Sequence, residues 1–169
     1  MIRTLLRTTL VVLTVAAPAF CQLAPPEART INLAGPRFGV TALSPGVVEA
    51  LHERQIEVKP MISQFGWQTE KQFYTRDSGI AAVNEWVLLL GGLDQGVAIP
   101  SLTWMVGLRN RAGGEFGIGP NVTPAGVALA LAAGMTIRAG TINVPVNVAV
   151  VPSRDGTRLS FLTGFTLRK

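Results

Sequence analysis

Glu70 and Glu85 are the two acidic residues whose spacing could place them face to face. If the turn in "RDSG" (Arg76 to Gly79) centres between Asp77 and Ser78, the two carboxylates oppose one another across a hairpin. Opposed carboxylates repel unless a cation joins them or one keeps its proton. An arginine from another strand, Arg109 or Arg138, would supply that cation. The expectation is a buried ionic cluster of Glu70, Glu85, Arg109 and Arg138.

Other chemistry is sparse. The single histidine, His52, lies on a short helical stretch, with Glu49 on its face and Ser44 nearby. A lone helical histidine is ordinarily a solvated side chain, and no positioned acid completes a Ser/His pair. There is no His-x-x-x-His, no Cys-x-x-Cys and no calcium loop, so no metal site is expected. "GIGPNVTPAG" lacks the third glycine of a dinucleotide fingerprint, and no helix follows it. Asn121-Val122-Thr123 matches a glycosylation sequon by pattern alone. No catalytic residue and no cofactor are expected, and the chain reads as a non-enzyme.

For Glu70 and Glu85 to meet, the surrounding chain must be β. Its 169 residues suit one domain, and only 15% of them are charged. With a mean hydropathy of +0.37 the chain is too apolar to be disordered. Arg3 and Arg7, the apolar run Thr9 to Ala17 and the small residues Ala17 to Ala19 read as a signal peptide over 1–21, with a cut after 19 as the alternative. Cleavage after Cys21 removes the one cysteine, so no disulfide is expected. Losing Arg3 and Arg7 also lowers the formal charge from +5 to about +3, and no basic stripe suggests nucleic acid. Residues 22–30 read as a flexible lead-in and 31–169 as the folded domain.

Within 31–169, short apolar runs alternate with Gly, Pro, Asp and Asn turns, the all-β signature. Strands are expected at about 31–42, 60–74, 80–92, 97–109, 115–122, 126–138, 141–151 and 157–167, with boundaries good to roughly two to four residues. A change of apolar parity at Gly35-Pro36 suggests a bulge there. "SPGVVEALHER" predicts one short helix between the first two strands, with Ser44 as N-cap, Pro45 at N1 and Val47, Val48 and Leu51 on its apolar face. It would cover a barrel mouth or pack on an edge.

Each strand has one large apolar face and one small or polar face. Leu102, Trp104, Val106 and Leu108 share a face, as do Val144, Val146 and Val148. Gln64, Gln68, Glu70, Glu85, Asn143 and Asn147 lie on the opposite ones. A soluble barrel would turn the apolar set inward. A membrane barrel would turn it to lipid. Few Lys or Glu occupy the polar faces, which favours the second arrangement. Leu102, Trp104, Val106, Leu108, Val144, Val146 and Val148 are then lipid-facing, and Phe38, Phe73, Phe116 and Phe165 form an aromatic girdle at the periplasmic boundary.

On this pattern, residues 31–169 resemble the small eight-stranded bacterial outer-membrane β-barrels. Gly164, Phe165 and Leu167 resemble that family's C-terminal insertion signal. The resemblance implies an up-and-down antiparallel barrel, residence in the outer membrane, and membrane lipid and the barrel-insertion machinery as partners. Val83, Val87, Leu89, Ala128, Ala130 and Ala132 on the inner face imply a filled lumen rather than an open pore, and a structural or interaction role. The alternative is a secreted or periplasmic soluble barrel that binds an apolar ligand. A lipid-modifying enzyme acting through residues 43–59 is the third class.

Overall fold

The computed structural model describes residues 33–76 and 79–167. The expected signal peptide and lead-in, and the centre of the Asp77-Ser78 turn, lie outside them. Eight antiparallel strands run in sequence order: β1 (Gly35–Leu43), β2 (Met61–Thr75), β3 (Ala81–Gly91), β4 (Ile99–Arg109), β5 (Gly114–Thr123), β6 (Gly126–Ala139), β7 (Ile142–Ser153) and β8 (Gly156–Gly164). Each pairs with its predecessor, and β8 returns to β1, where Arg37 stands opposite Gly164. The sheet therefore closes on itself, so all eight strands have a neighbour on both sides. A short β9 (Thr166–Leu167) continues along β7, and one helix, α1 (Pro45–His52), links β1 to β2.

The turns follow from local chemistry. Gly113 has φ of 90° and Gly156 has φ of 133°, conformations that favour glycine. Asn110 Oδ1 accepts the Gly114 N–H at 2.9 Å and closes the β4–β5 turn.

The registers set the barrel's shape. A circuit leaving β2 at Gln72 passes Val83, Gly107, Gly117, Ala132, Ala149, Ser160 and Thr41, and returns to β2 at Ile62. That is a stagger of ten residues. With about 3.3 Å per residue and about 4.8 Å between strands, it tilts the strands by roughly 40°. A strand of eleven residues, such as β3 or β4, then rises about 27 Å along the barrel axis.

Facing alternates cleanly. In β4, Ile99, Ser101, Thr103, Met105, Gly107 and Arg109 are buried, and the residues between them are exposed. The expected bulge at Gly35-Pro36 is absent, because Gly35, Pro36 and Arg37 pair with Gln68, Trp67 and Gly66 without a break. Leu33, Gly35 and Arg37 all point inward, so the change there is one of chemistry and not of face. The bulge lies instead in β2, between Gln72 and Tyr74. The expected last strand is split at Phe165. Pro36 has no N–H to donate, so the β1–β8 ladder stops at Arg37–Gly164, and Thr166 continues on β7 alone.

Helix α1 closes one end of the barrel. Val47 and Leu51 pack on Leu43, Ile62 and Ile99 at the tops of β1, β2 and β4, joined by Val58 from the following loop. Ser44 occupies the N-cap, but its side chain makes no cap hydrogen bond. Its Oγ instead accepts the Thr157 N–H at 2.9 Å, fastening the helix to β8.

Candidate functional site

The lumen has three levels, each set by inward positions of several strands. The end opposite α1 is floored by an ionic cluster. Glu70 stands directly opposite Glu85 across β2 and β3, and Arg109 opposite Glu115 across β4 and β5. Arg109 grips Glu70 through two bonds, Nη1 to Oε1 at 2.6 Å and Nη2 to Oε2 at 2.5 Å. Glu115 Oε2 accepts from the same guanidinium at 2.8 and 3.0 Å, and Glu85 Oε1 lies 3.6 Å from Nη2. All four side chains are almost fully buried. Removing such charges from water is costly, and shared bidentate contacts offset that cost.

Arg138 is not in this cluster. It is exposed beyond the rim at the end of β6, where its Nη2 donates to the Arg111 carbonyl at 3.3 Å. The cluster gains a third carboxylate, Glu115, and a second cation, Arg37, lies within the field of all three. Arg37 donates to Gln68 Oε1 at 3.0 Å, to the Pro36 carbonyl at 2.9 Å and to the Leu33 carbonyl at 2.5 Å. The sequence held the signal for Glu115. Centring the "RAGG" turn between Arg109 and Glu115 pairs them directly, by the same reasoning that pairs Glu70 with Glu85.

Above the floor the wall turns apolar, with Val87, Leu89, Met105 and Ala132 buried against one another and Ala149 and Leu162 packed beside them. Higher still is a polar ring. Asn121 Nδ2 donates to Ser101 Oγ and Thr103 Oγ1, each at 2.8 Å. Thr41 Oγ1 donates to Gln64 Oε1 at 2.6 Å and lies 2.7 Å from Ser160 Oγ. Arg158 donates to Thr123 Oγ1 at 2.6 Å. Asn121, the sequon asparagine, is thus a luminal side chain that a glycosylating enzyme could not reach. Between the floor and the α1 cap these levels line a cavity of about 80 Å³.

The outer face is the inverse of the inner one. Leu102, Trp104, Val106 and Leu108 are 39–56% exposed, and Val148 is 43% exposed. Val144 and Val146 point the same way but are half-buried. Phe73, Phe116 and Phe165 are exposed around the end opposite α1. Phe38 is exposed too, but it sits deeper in the belt, opposite Phe65. The stagger explains this, because β1 starts opposite Gln68, well inside β2, rather than at its end. Trp67, Trp86 and Trp104 are also exposed on this face, with the last two rings 6.2 Å apart. The outward amide oxygen of Asn84 accepts the Trp104 indole N–H at 2.7 Å, which satisfies the indole donor on an apolar surface.

No family model matches this chain, and no curated protein or solved structure does either.

His52 is partly exposed on α1, with Nε2 lying 3.4 Å from Glu57 Oε2, so its carboxylate neighbour is Glu57 rather than Glu49. Among the described residues no cluster of His, Cys, Asp and Glu could hold a metal ion, and no helix is long and apolar enough to cross a membrane.

Proposed function

We propose that this chain is an outer-membrane β-barrel whose lumen is closed to ions, with a structural or interaction role. The observation that carries this reading is the inverted arrangement of side chains. Arg37, Gln68, Glu85, Arg109, Asn121, Asn143 and Arg158 are buried, while Leu, Val, Ile, Phe and Trp are exposed on all eight strands. In water such a surface would drive aggregation; in lipid it is the required one. The rise of about 27 Å matches a hydrocarbon core of about 30 Å and an apolar band of about 25 Å. Lys71, the charge on this face of β2, lies near the β2–β3 turn, where its stem can carry the ammonium to the interface.

Closure of the pore rests on two plugs, the Arg109 cluster at one end and α1 with Leu43, Ile62 and Ile99 at the other. The reading predicts that protein added to phospholipid vesicles folds with heat-modifiable mobility in gels and passes no current in planar bilayers. Recovery of the mature protein in a detergent-free soluble fraction would overturn the membrane assignment. Sustained conductance would overturn the closed lumen.

A soluble ligand-binding barrel is the second reading, and the luminal cavity is the observation that favours it. It would leave the outward apolar belt facing water, which is why it ranks second.

A further inference from the structure

Arg158 is buried at 8% exposure, yet among the described residues no carboxylate forms a salt bridge with it. Its hydrogen-bond acceptor is neutral, the Thr123 hydroxyl, and its Nε has no hydrogen-bond partner. Arg109 shows what this lumen does elsewhere with a buried guanidinium, which is to surround it with carboxylates. A buried charge without a counter-charge is expensive, so an anion is the missing complement.

The surroundings define the rest of the occupant. Arg158 lines the luminal cavity, and so do Val87, Leu89, Met105 and Leu162. Leu162 lies four residues from Arg158 along β8, about 13 Å of strand. Asn121 Oδ1 and Asn147 Oδ1 also line it and are buried without a partner. Water can serve those amides, but it gains nothing from the apolar wall, which left empty would stay dry. A cation at one end and a dry hydrocarbon wall at the other complement a molecule with the same polarity.

We propose that the upper lumen is a binding site for a single-chain amphiphile with an anionic head, its head at Arg158 and its chain among Val87, Leu89, Met105 and Leu162. A fatty acid and a monoalkyl phosphate share this chemistry. The site concerns the interior alone, so it stands whether lipid or water surrounds the barrel, and failed membrane insertion leaves it intact.

The test uses the folded full-length protein in amphipol, with decanoate labelled at its carboxyl and terminal methyl carbons. Decanol and acetate serve as the chain without the charge and the charge without the chain. Decanoate is expected to bind saturably and to show magnetisation transfer from its methyl group to Met105. Decanol and acetate are expected to bind more weakly by about tenfold or more. Monodecyl phosphate binding as tightly as decanoate supports the shared-head reading, and its tighter binding marks phosphate as the preferred head. Arg158→Met should weaken decanoate by about tenfold or more and leave decanol unchanged. Ala132→Leu, which fills the apolar level, should abolish decanoate binding even if the Arg158 variant does not fold. The proposal is overturned if the cavity takes up water only, if acetate or decanol matches decanoate, or if Ala132→Leu binds decanoate as the wild type does.

Discussion

Arg109 and Glu70 form a two-pronged ion pair inside the barrel, with both guanidinium nitrogens within 2.6 Å of a carboxylate oxygen. The pair joins β4 to β2, strands that share no ladder, and so ties the lumen wall across β3. Glu115 and Glu85 lean on the same guanidinium. One arginine therefore organises three carboxylates from three strands.

Removing that arginine should cost far more than removing Arg138. Arg109→Met leaves three carboxylates facing one another, and breaking a buried pair costs about 3–5 kcal/mol. Arg138→Ala alters an exposed side chain at a strand end and should stay within about 0.5 kcal/mol of wild type. Urea titration followed by tryptophan fluorescence, in the same lipid for both variants, makes the comparison. Equal losses would mean that Arg138 also belongs to the cluster.

The three carboxylates are not equivalent. Glu70 receives two charged hydrogen bonds, whereas Glu85 Oε1 stands 3.6 Å from the nearer guanidinium nitrogen. Glu70→Gln should cost about 1.5–3 kcal/mol, the worth of charge-assisted bonds. Glu85→Gln relieves repulsion with the facing Glu70 and should be neutral or stabilising. A larger loss from Glu85→Gln than from Glu70→Gln in the same titration would reverse this order.

Much of this was legible in the sequence, because a hairpin's centre fixes every pair across it. That is how Glu70 and Glu85 come together, and how Glu115 could have been found opposite Arg109. The height of Phe38 could not be read the same way, since it depends on a stagger accumulated over all eight pairings and visible in no single turn. Ser44 looked like a helix cap by type and position, but its Oγ accepts the Thr157 N–H instead, a contact made only when the barrel closes. The isolation of Arg158 is likewise a property of the whole lumen. It depends on where every acidic side chain ends up.

At the α1 end, Asp94 latches the β3–β4 loop to β2. Its carboxylate accepts from Ser63 Oγ at 2.5 Å, from the Ser63 N–H at 3.1 Å and from Gln95 Nε2 at 3.3 Å. The Ser63 hydroxyl is the largest cause holding its pKa below the ordinary carboxylate value. A depressed folded pKa means the latch contributes above the unfolded pKa and is lost as pH falls through the folded one. Carbon-detected NMR of the Asp94 carboxyl should place its midpoint below the usual carboxylate range, and Ser63→Ala should raise it. An unchanged midpoint in Ser63→Ala would show that the hydroxyl is not the cause.

The outer face offers the sharpest test of what surrounds the barrel. Val148 stands mid-way along β7, opposite Ala133 and Phe161, while Leu108 lies one residue from the end of β4. Both side chains point outward. In a bilayer the cost of arginine depends on depth, about 2–4 kcal/mol at the midplane and about 0–1 near the interface. Val148→Arg should therefore lower stability in phospholipid vesicles well beyond Leu108→Arg, with both variants retaining the native fold. In water no such gradient exists, and replacing an exposed valine or leucine by arginine would improve solubility at both heights. Equal effects of the two substitutions, measured by equilibrium unfolding from vesicles, would remove the lipid belt and leave the closed, ion-paired lumen as a feature of a soluble barrel.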